Sequence, residues 1–121
     1  MKKFPLIILF GSKAKQTAGK ISDTDVAVLD DHELDLSEKV KLGADLAQKL
    51  GVSEDRVDIV DLSIASPLLQ HEVAKYGKLL GGSIHDFFRF RVLAWKRYQD
   101  TAKFRRRREQ ALKEYFHAQG N

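Results

Sequence analysis

With 121 residues, 43% of them apolar, the chain is sized for one folded domain with a real core, and global disorder is excluded. It has no cysteine, which rules out a disulfide framework, a thiolate metal site and a cysteine nucleophile. The net charge of +4 suits an anionic partner such as a nucleotide, a nucleic acid or an acidic protein, and much of the excess sits in Arg105–Arg108.

Phe4 to Phe10 is a short run rich in Leu and Ile and reads as a buried strand. Lys2 and Lys3 give it the outline of a secretion signal. Seven residues followed at once by Lys13 and Lys15 are too few for one, however, and no run is long enough to span a membrane. The expected location is the cytoplasm. Gly11-Ser12 breaks the run, and Ser12 is placed to cap a short helical turn through Ala14 and Lys15. Gln16 to Ser22 is polar and contains Gly19, so a loop is expected. Thr24 to Leu29 reads as a second strand, with Asp25, Ala27 and Leu29 on one face and Val26 and Val28 on the other.

Asp35 then starts a helix, with Glu38 completing a capping box. Leu36, Val40, Ala44, Ala47 and Leu50 form its expected apolar stripe, and Gly51 ends it. Arg56 to Leu62 is a third strand. Asp58, Val60 and Leu62 share one face; Val57, Ile59 and Asp61 share the other. Pro67 opens a second helix near Leu68 to Tyr76. Lys78-Leu79-Leu80 is a short edge strand, and Ser83 caps the last helix. From Ile84 to about Ala118 no Pro or Gly interrupts the helical pattern. Phe87, Phe90, Ala94, Tyr98 and Ala102 mark a stripe that is core or a partner interface, with Phe88, Val92 and Trp95 beside it. The pattern resumes at Leu112 and Phe116.

Strand, strand, helix, strand, helix, short strand, long helix describes a small α+β domain, with helices flanking a mixed sheet. Residues 1–82 form the expected core, and residues 83–121 a basic helical extension of the same domain.

The chemistry concentrates between Gly11 and Asp58. Asp23 and Asp25 are two apart at a strand start, so both carboxylates project from one face. Side by side they repel, and a divalent cation removes the conflict. Mg²⁺ takes oxygen ligands, commonly one or two carboxylates plus phosphate oxygens of its substrate. Gly11-Ser12 supplies the complementary half: glycine lets the backbone approach a phosphate, and free N–H groups and the Ser12 hydroxyl bind anions. Lys13, Lys15 and Lys20 add positive charge. A third acid on a neighbouring strand completes a nucleotidyl-transfer site by deprotonating the attacking hydroxyl or holding a second metal. Asp58 is the first candidate and Asp61 the second, because both faces of their strand mix apolar and acidic residues.

Gly11-Ser12, ten intervening residues and then Asp23-Thr24-Asp25 resembles the signature of the DNA polymerase beta-like nucleotidyltransferases. The short length and Val57-Asp58-Ile59-Val60-Asp61-Leu62 are similar to the minimal nucleotidyltransferases, the MNT antitoxins paired with HEPN ribonuclease toxins. The resemblance covers roughly residues 5–80. It departs at Gln16, where glycine is frequent, and at Lys13 and Lys15, where arginine is. It implies the polymerase beta-like fold, Mg²⁺ held by Asp23, Asp25 and Asp58, and ATP bound through Gly11, Ser12, Lys13 and Lys15. It also implies transfer of AMP to a tyrosine of a HEPN toxin that forms a hetero-oligomer with the chain.

Other readings stand beside this one. The chain could neutralise its partner by contact alone, act on a small molecule, or bind RNA through the basic helix. Arg105–Arg108 point in all directions on a helix and make no single face, so they read as a solvated helix end or as a docking surface. His32, His71, His85 and His117 have no metal-ligand spacing. The HEPN motif, Arg and then His after four to six residues, is missing, since Arg108 to His117 is too long. That argues for the transferase and against the toxin.

Overall fold

The computed structural model describes residues 5–11 and 24–119. Its four-stranded mixed sheet has the order β3-β2-β1-β4. Strands β1 (Leu6–Phe10) and β2 (Thr24–Leu29) are antiparallel, from Leu6 opposite Leu29 to Phe10 opposite Asp25. Strand β3 (Val57–Asp61) runs parallel to β2, which requires a crossover, and helix α1 (Leu36–Leu50) provides it. Helix α2 (Pro67–Tyr76) leads to β4 (Lys78–Gly81), which pairs with the other edge of β1, and α3 (Ile84–Gln119) follows.

Strand alternation builds two cores. Leu6, Ile8 and Ala27 pack with Leu62 and Val73 and with Phe87, Phe90 and Ala94 of α3. Val26 and Val28 face the other way, against Leu34 and Leu46 on the α1 side. The expected α+β architecture, with its long last helix, is the one observed.

The caps follow the sequence. Asp35 and Glu38 form the capping box, and Gly51 ends α1 with φ of 69°. Ser83 Oγ accepts from the His85 and Asp86 N–H groups at the start of α3. The third strand is shorter than expected: Glu54–Arg56 form a 3₁₀ turn, so β3 begins at Val57 and ends at Asp61.

Two helices leave apolar side chains uncovered. In α1, Leu36 and Val40 are 77% and 63% exposed, and burial falls on Leu46 and Ala47, with Leu42 and Leu50 against the core. Leu36 and Val40 thus lie on the helix's apolar stripe without being covered. In α3, Phe87, Phe90 and Ala94 are buried as expected, but Phe88, Val92 and Trp95 are exposed. With His71, Lys75 and Arg91 they line an open depression of about 370 Å³.

Helices α2 and α3 are lashed together by polar groups. The buried Gln70 amide donates to the carbonyls of Leu62 (2.9 Å) and Ala65 (3.3 Å), and its oxygen accepts from Arg97 (3.0 Å). Tyr98 stacks on His71 with ring centroids 3.9 Å apart, and the Arg105 guanidinium lies 3.8 Å from the same ring. Two groups so close to one ring must occupy opposite faces. Arg105 also donates to the Tyr98 carbonyl and the Thr101 hydroxyl. Beyond this latch, every side chain from Arg106 to Ala118 is exposed. No helix among the described residues is long and apolar enough to cross a membrane.

Candidate active site

Asp25 stands at the start of β2, and its register partner across the parallel ladder is Asp58 of β3. Paired residues on adjacent strands project from the same face, with backbones about 4.8 Å apart. The two carboxylates are therefore neighbours. Alternation puts them on the face of Ala27 and Ile8, at the end of the sheet, where Asp58 is exposed and Asp25 is half-buried.

Gly11 closes the site from β1. Its φ is +79°, a left-handed conformation that glycine adopts freely. A Cβ at Gly11 would collide with the Asp25 carboxylate. The residue following β1 therefore brings bare backbone against an acidic side chain, and both the angle and the space demand glycine.

Asp61 is turned away. It lies opposite Val28, on the α1 face, and is buried. Its carboxylate accepts from the Leu34 N–H (2.8 Å), the Ser63 N–H (2.9 Å) and the Ser63 hydroxyl (2.7 Å). Burial pushes its carboxyl up. The bonds from Ser63 and Leu34 and the charge of Lys39 outweigh that and hold it below the ordinary value. Asp61 is spent on fixing the chain before α1 and the turn after β3. Of the two acids left open by periodicity, the register brings Asp58 to Asp25 and removes Asp61.

Ser12, Lys13, Lys15 and Asp23 lie outside the described residues, as do residues 16–22, where a loop is expected. Asp25 and Asp58 form a partly open pair of hard oxygen donors beside the Gly11 backbone. Mg²⁺ prefers such donors, so the residues present fit it.

Asp30, Asp31 and His32 form a further cluster that periodicity did not flag. It follows the opposite end of β2, about 16 Å along the strand from Asp25. His32 Nδ1 lies 2.9 Å from Asp31, and Nε2 lies 2.7 Å from Glu38. The Asp31 bond first and the Glu38 bond second raise the imidazole from 6.5 to about 9. The acids around His32, with Glu38 at the α1 N-terminus, hold a cation that ties the β2–α1 link to the helix start.

The chain is similar to proteins of known family and fold. A model of the family "Polymerase beta, Nucleotidyltransferase" matches residues 2–83. Protein adenylyltransferase MntA of Shewanella oneidensis is 39% identical over 97 residues, which are 80% of this chain and 68% of that protein. The protein of the same name from Aphanizomenon flos-aquae is 36% identical over 99 residues, covering 73% of this chain and 65% of that one. The chain thus spans about two thirds of the length of these relatives. Among solved structures, a toxin–antitoxin crystal structure with AMP-PNP superposes with a TM-score of 0.75 at 35% identity, covering 93% of this chain and 88% of that one. Tri-AMPylated Shewanella oneidensis HEPN toxin in complex with MNT antitoxin gives 0.68 at 33% identity, covering 93% and 85%. The chain therefore belongs to the polymerase beta nucleotidyltransferase family, among its minimal members of the MNT type.

Proposed function

We propose that the chain is an antitoxin that transfers AMP from ATP to a tyrosine of a HEPN ribonuclease toxin and so silences it. The observation that carries this reading is the in-register pair Asp25 and Asp58 beside the bare backbone of Gly11. The relatives named protein adenylyltransferase and the structural neighbour holding an AMPylated HEPN toxin support the same reading.

In this reading Asp23, Asp25 and Asp58 hold Mg²⁺, and Gly11, Ser12, Lys13 and Lys15 bind the triphosphate. Mg²⁺ held by these carboxylates would neutralise phosphate charge and polarise the α-phosphate. Asp58, exposed on the edge strand, accepts the proton of the tyrosine hydroxyl. The hydroxyl oxygen bonds to the α-phosphorus as the bond to the bridging oxygen of pyrophosphate breaks. Pyrophosphate leaves with that electron pair. The protein contributes positioning and charge more than covalent chemistry. Residues 1–82 form the catalytic core, and residues 83–121 extend the same domain. With no cysteine and ATP as donor, the reaction belongs in the cytoplasm.

A second reading, neutralisation by contact alone, draws on the exposed far half of α3. Residues 103–119 carry six basic and two acidic side chains, and Phe104, Leu112, Tyr115 and Phe116 are exposed there. The two readings separate in one experiment. The chain, a HEPN toxin, ATP and Mg²⁺ are incubated, and the toxin's intact mass is measured. AMP-sized increments that vanish with a chelator and in Asp25→Asn support transfer. An unmodified toxin that is nevertheless inhibited supports contact alone.

A further inference from the structure

Helix α1 leaves part of its apolar stripe uncovered over the edge of the sheet. Leu36, Val40, Gly43 and Ala47 share that stripe, yet only Ala47 is buried. Gly43 sits in mid-helix, where glycine weakens the helix relative to alanine. A Cβ at this position would meet nothing within 4 Å, and its φ is not positive, so neither space nor backbone requires glycine. What its small size does is open a groove of about 320 Å³ between α1 and β3, lined by Lys39, Val40, Gly43, Glu54, Asp58 and Ile59.

Strand β3 is the last strand on this side among the described residues. The Leu62 N–H donates to Val28 on β2, so alternation turns the N–H and C=O of Ile59 outward, toward the groove. The two ends of the groove differ in charge. Lys39 lies close enough to act on Asp61 at the C-terminal end of β3. Glu54 stands in the turn before its N-terminal end.

We propose that this groove docks the acceptor: an extended segment of the protein substrate pairs with the free edge of β3 and presents its hydroxyl side chain beside Asp58. This rests on the adenylyl-transfer reading. A strand added about 4.8 Å from β3 places the residue opposite Asp58 on the same face as Asp58 and Asp25. Its neighbours in sequence point the other way, toward α1, where Gly43 leaves room for them. The charges give the segment a direction, with an acidic residue toward Lys39 and a basic one toward Glu54. An incoming helix has no backbone groups left for Ile59, and a small acceptor has no use for a groove as long as the strand. The hydroxyl opposite Asp58 attacks the α-phosphorus of ATP, its proton passes to the Asp58 carboxylate, and pyrophosphate departs with the electrons of the broken bond.

The test uses the full chain, a HEPN toxin, ATP and Mg²⁺. Gly43→Leu projects into the groove from a position where the added Cβ meets nothing within 4 Å. It is expected to melt at or above the wild-type temperature, bind AMP-PNP with unchanged affinity and raise the KM for the toxin at least tenfold. Lys39→Glu leaves the helix backbone alone and is expected to raise the same KM several-fold with kcat unchanged. Two variants that modify the toxin like wild type would overturn the docking site and leave the transfer reading standing. A wild-type chain that transfers no AMP would remove the reading, and the docking site with it.

Discussion

Gly11→Ala and Gly51→Ala form a matched pair that isolates the contact between Gly11 and Asp25. Both glycines are left-handed, with φ of 79° and 69°. Alanine in that conformation costs about 1–2 kcal/mol at either site. At Gly51 nothing lies within 4 Å of the new methyl group, so the cost is conformational only. For a chain of this size each kcal/mol lowers the melting temperature by roughly 3–6 °C. Gly51→Ala is therefore expected to melt roughly 3–12 °C lower, with unchanged AMP transfer per folded molecule. At Gly11 the same methyl group collides with the Asp25 carboxylate, and the carboxylate must move. A displacement of about 1 Å at a reacting centre can cost about 100-fold in rate. Gly11→Ala is therefore expected to lose at least as much stability and, in addition, about 100-fold in transfer. Thermal melts and radiolabelled AMP transfer to a HEPN toxin at matched folded concentrations measure both. If Gly11→Ala transferred AMP as fast as Gly51→Ala, the reasoning that couples this backbone to Asp25 would be wrong.

His32 is raised to about 9, by the Asp31 hydrogen bond first and by Glu38 second, so its contribution is complete below 6.5 and is lost as pH rises through about 9. The urea midpoint of wild type is expected to exceed that of His32→Gln near pH 6, and the gap to close above about pH 10. Asp61 has the opposite sign. Its depressed carboxyl stabilises the fold above the ordinary value of 3.8, and this is lost as pH falls through the lower folded value. Asp61→Asn is expected to lose about 1–3 kcal/mol at neutral pH, because the amide meets donors where the carboxylate met acceptor demand, and to converge on wild type in acid. Tyr98→Leu removes the His71 stack and the Arg105 cation contact, and chemical denaturation should show about 1–2 kcal/mol lost with ATP binding intact.

The strands and caps were legible because local signals set them. Alternation at 24–29, Asp35 with Glu38, and Gly51 each point to one local structure. The exposure of Leu36 and Val40 is not legible in the sequence, because periodicity shows which residues share a helix face and not how far the sheet extends beneath it. The helix overhangs the edge strand there. The same limit leaves Asp58 and Asp61 unresolved in the sequence. Both sit on a strand with acids on either face, and only pairing with β2 shows that Asp58 meets Asp25 while Asp61 meets the Leu34 and Ser63 donors. The latch joins His71 of α2 to Tyr98 of α3, 27 residues on, and no local spacing rule covers that pair.

Asp58, and not Asp61, is the partner of Asp25 across the β2–β3 ladder. Steady-state AMP transfer to a HEPN toxin by Asp58→Asn and Asp61→Asn, each corrected for its folded fraction, measures this directly. Asp58→Asn is expected to melt like wild type and to lose at least about 100-fold in kcat. Asp61→Asn is expected to melt lower and to keep wild-type turnover. Full activity in Asp58→Asn, with activity lost in folded Asp61→Asn, would contradict the site.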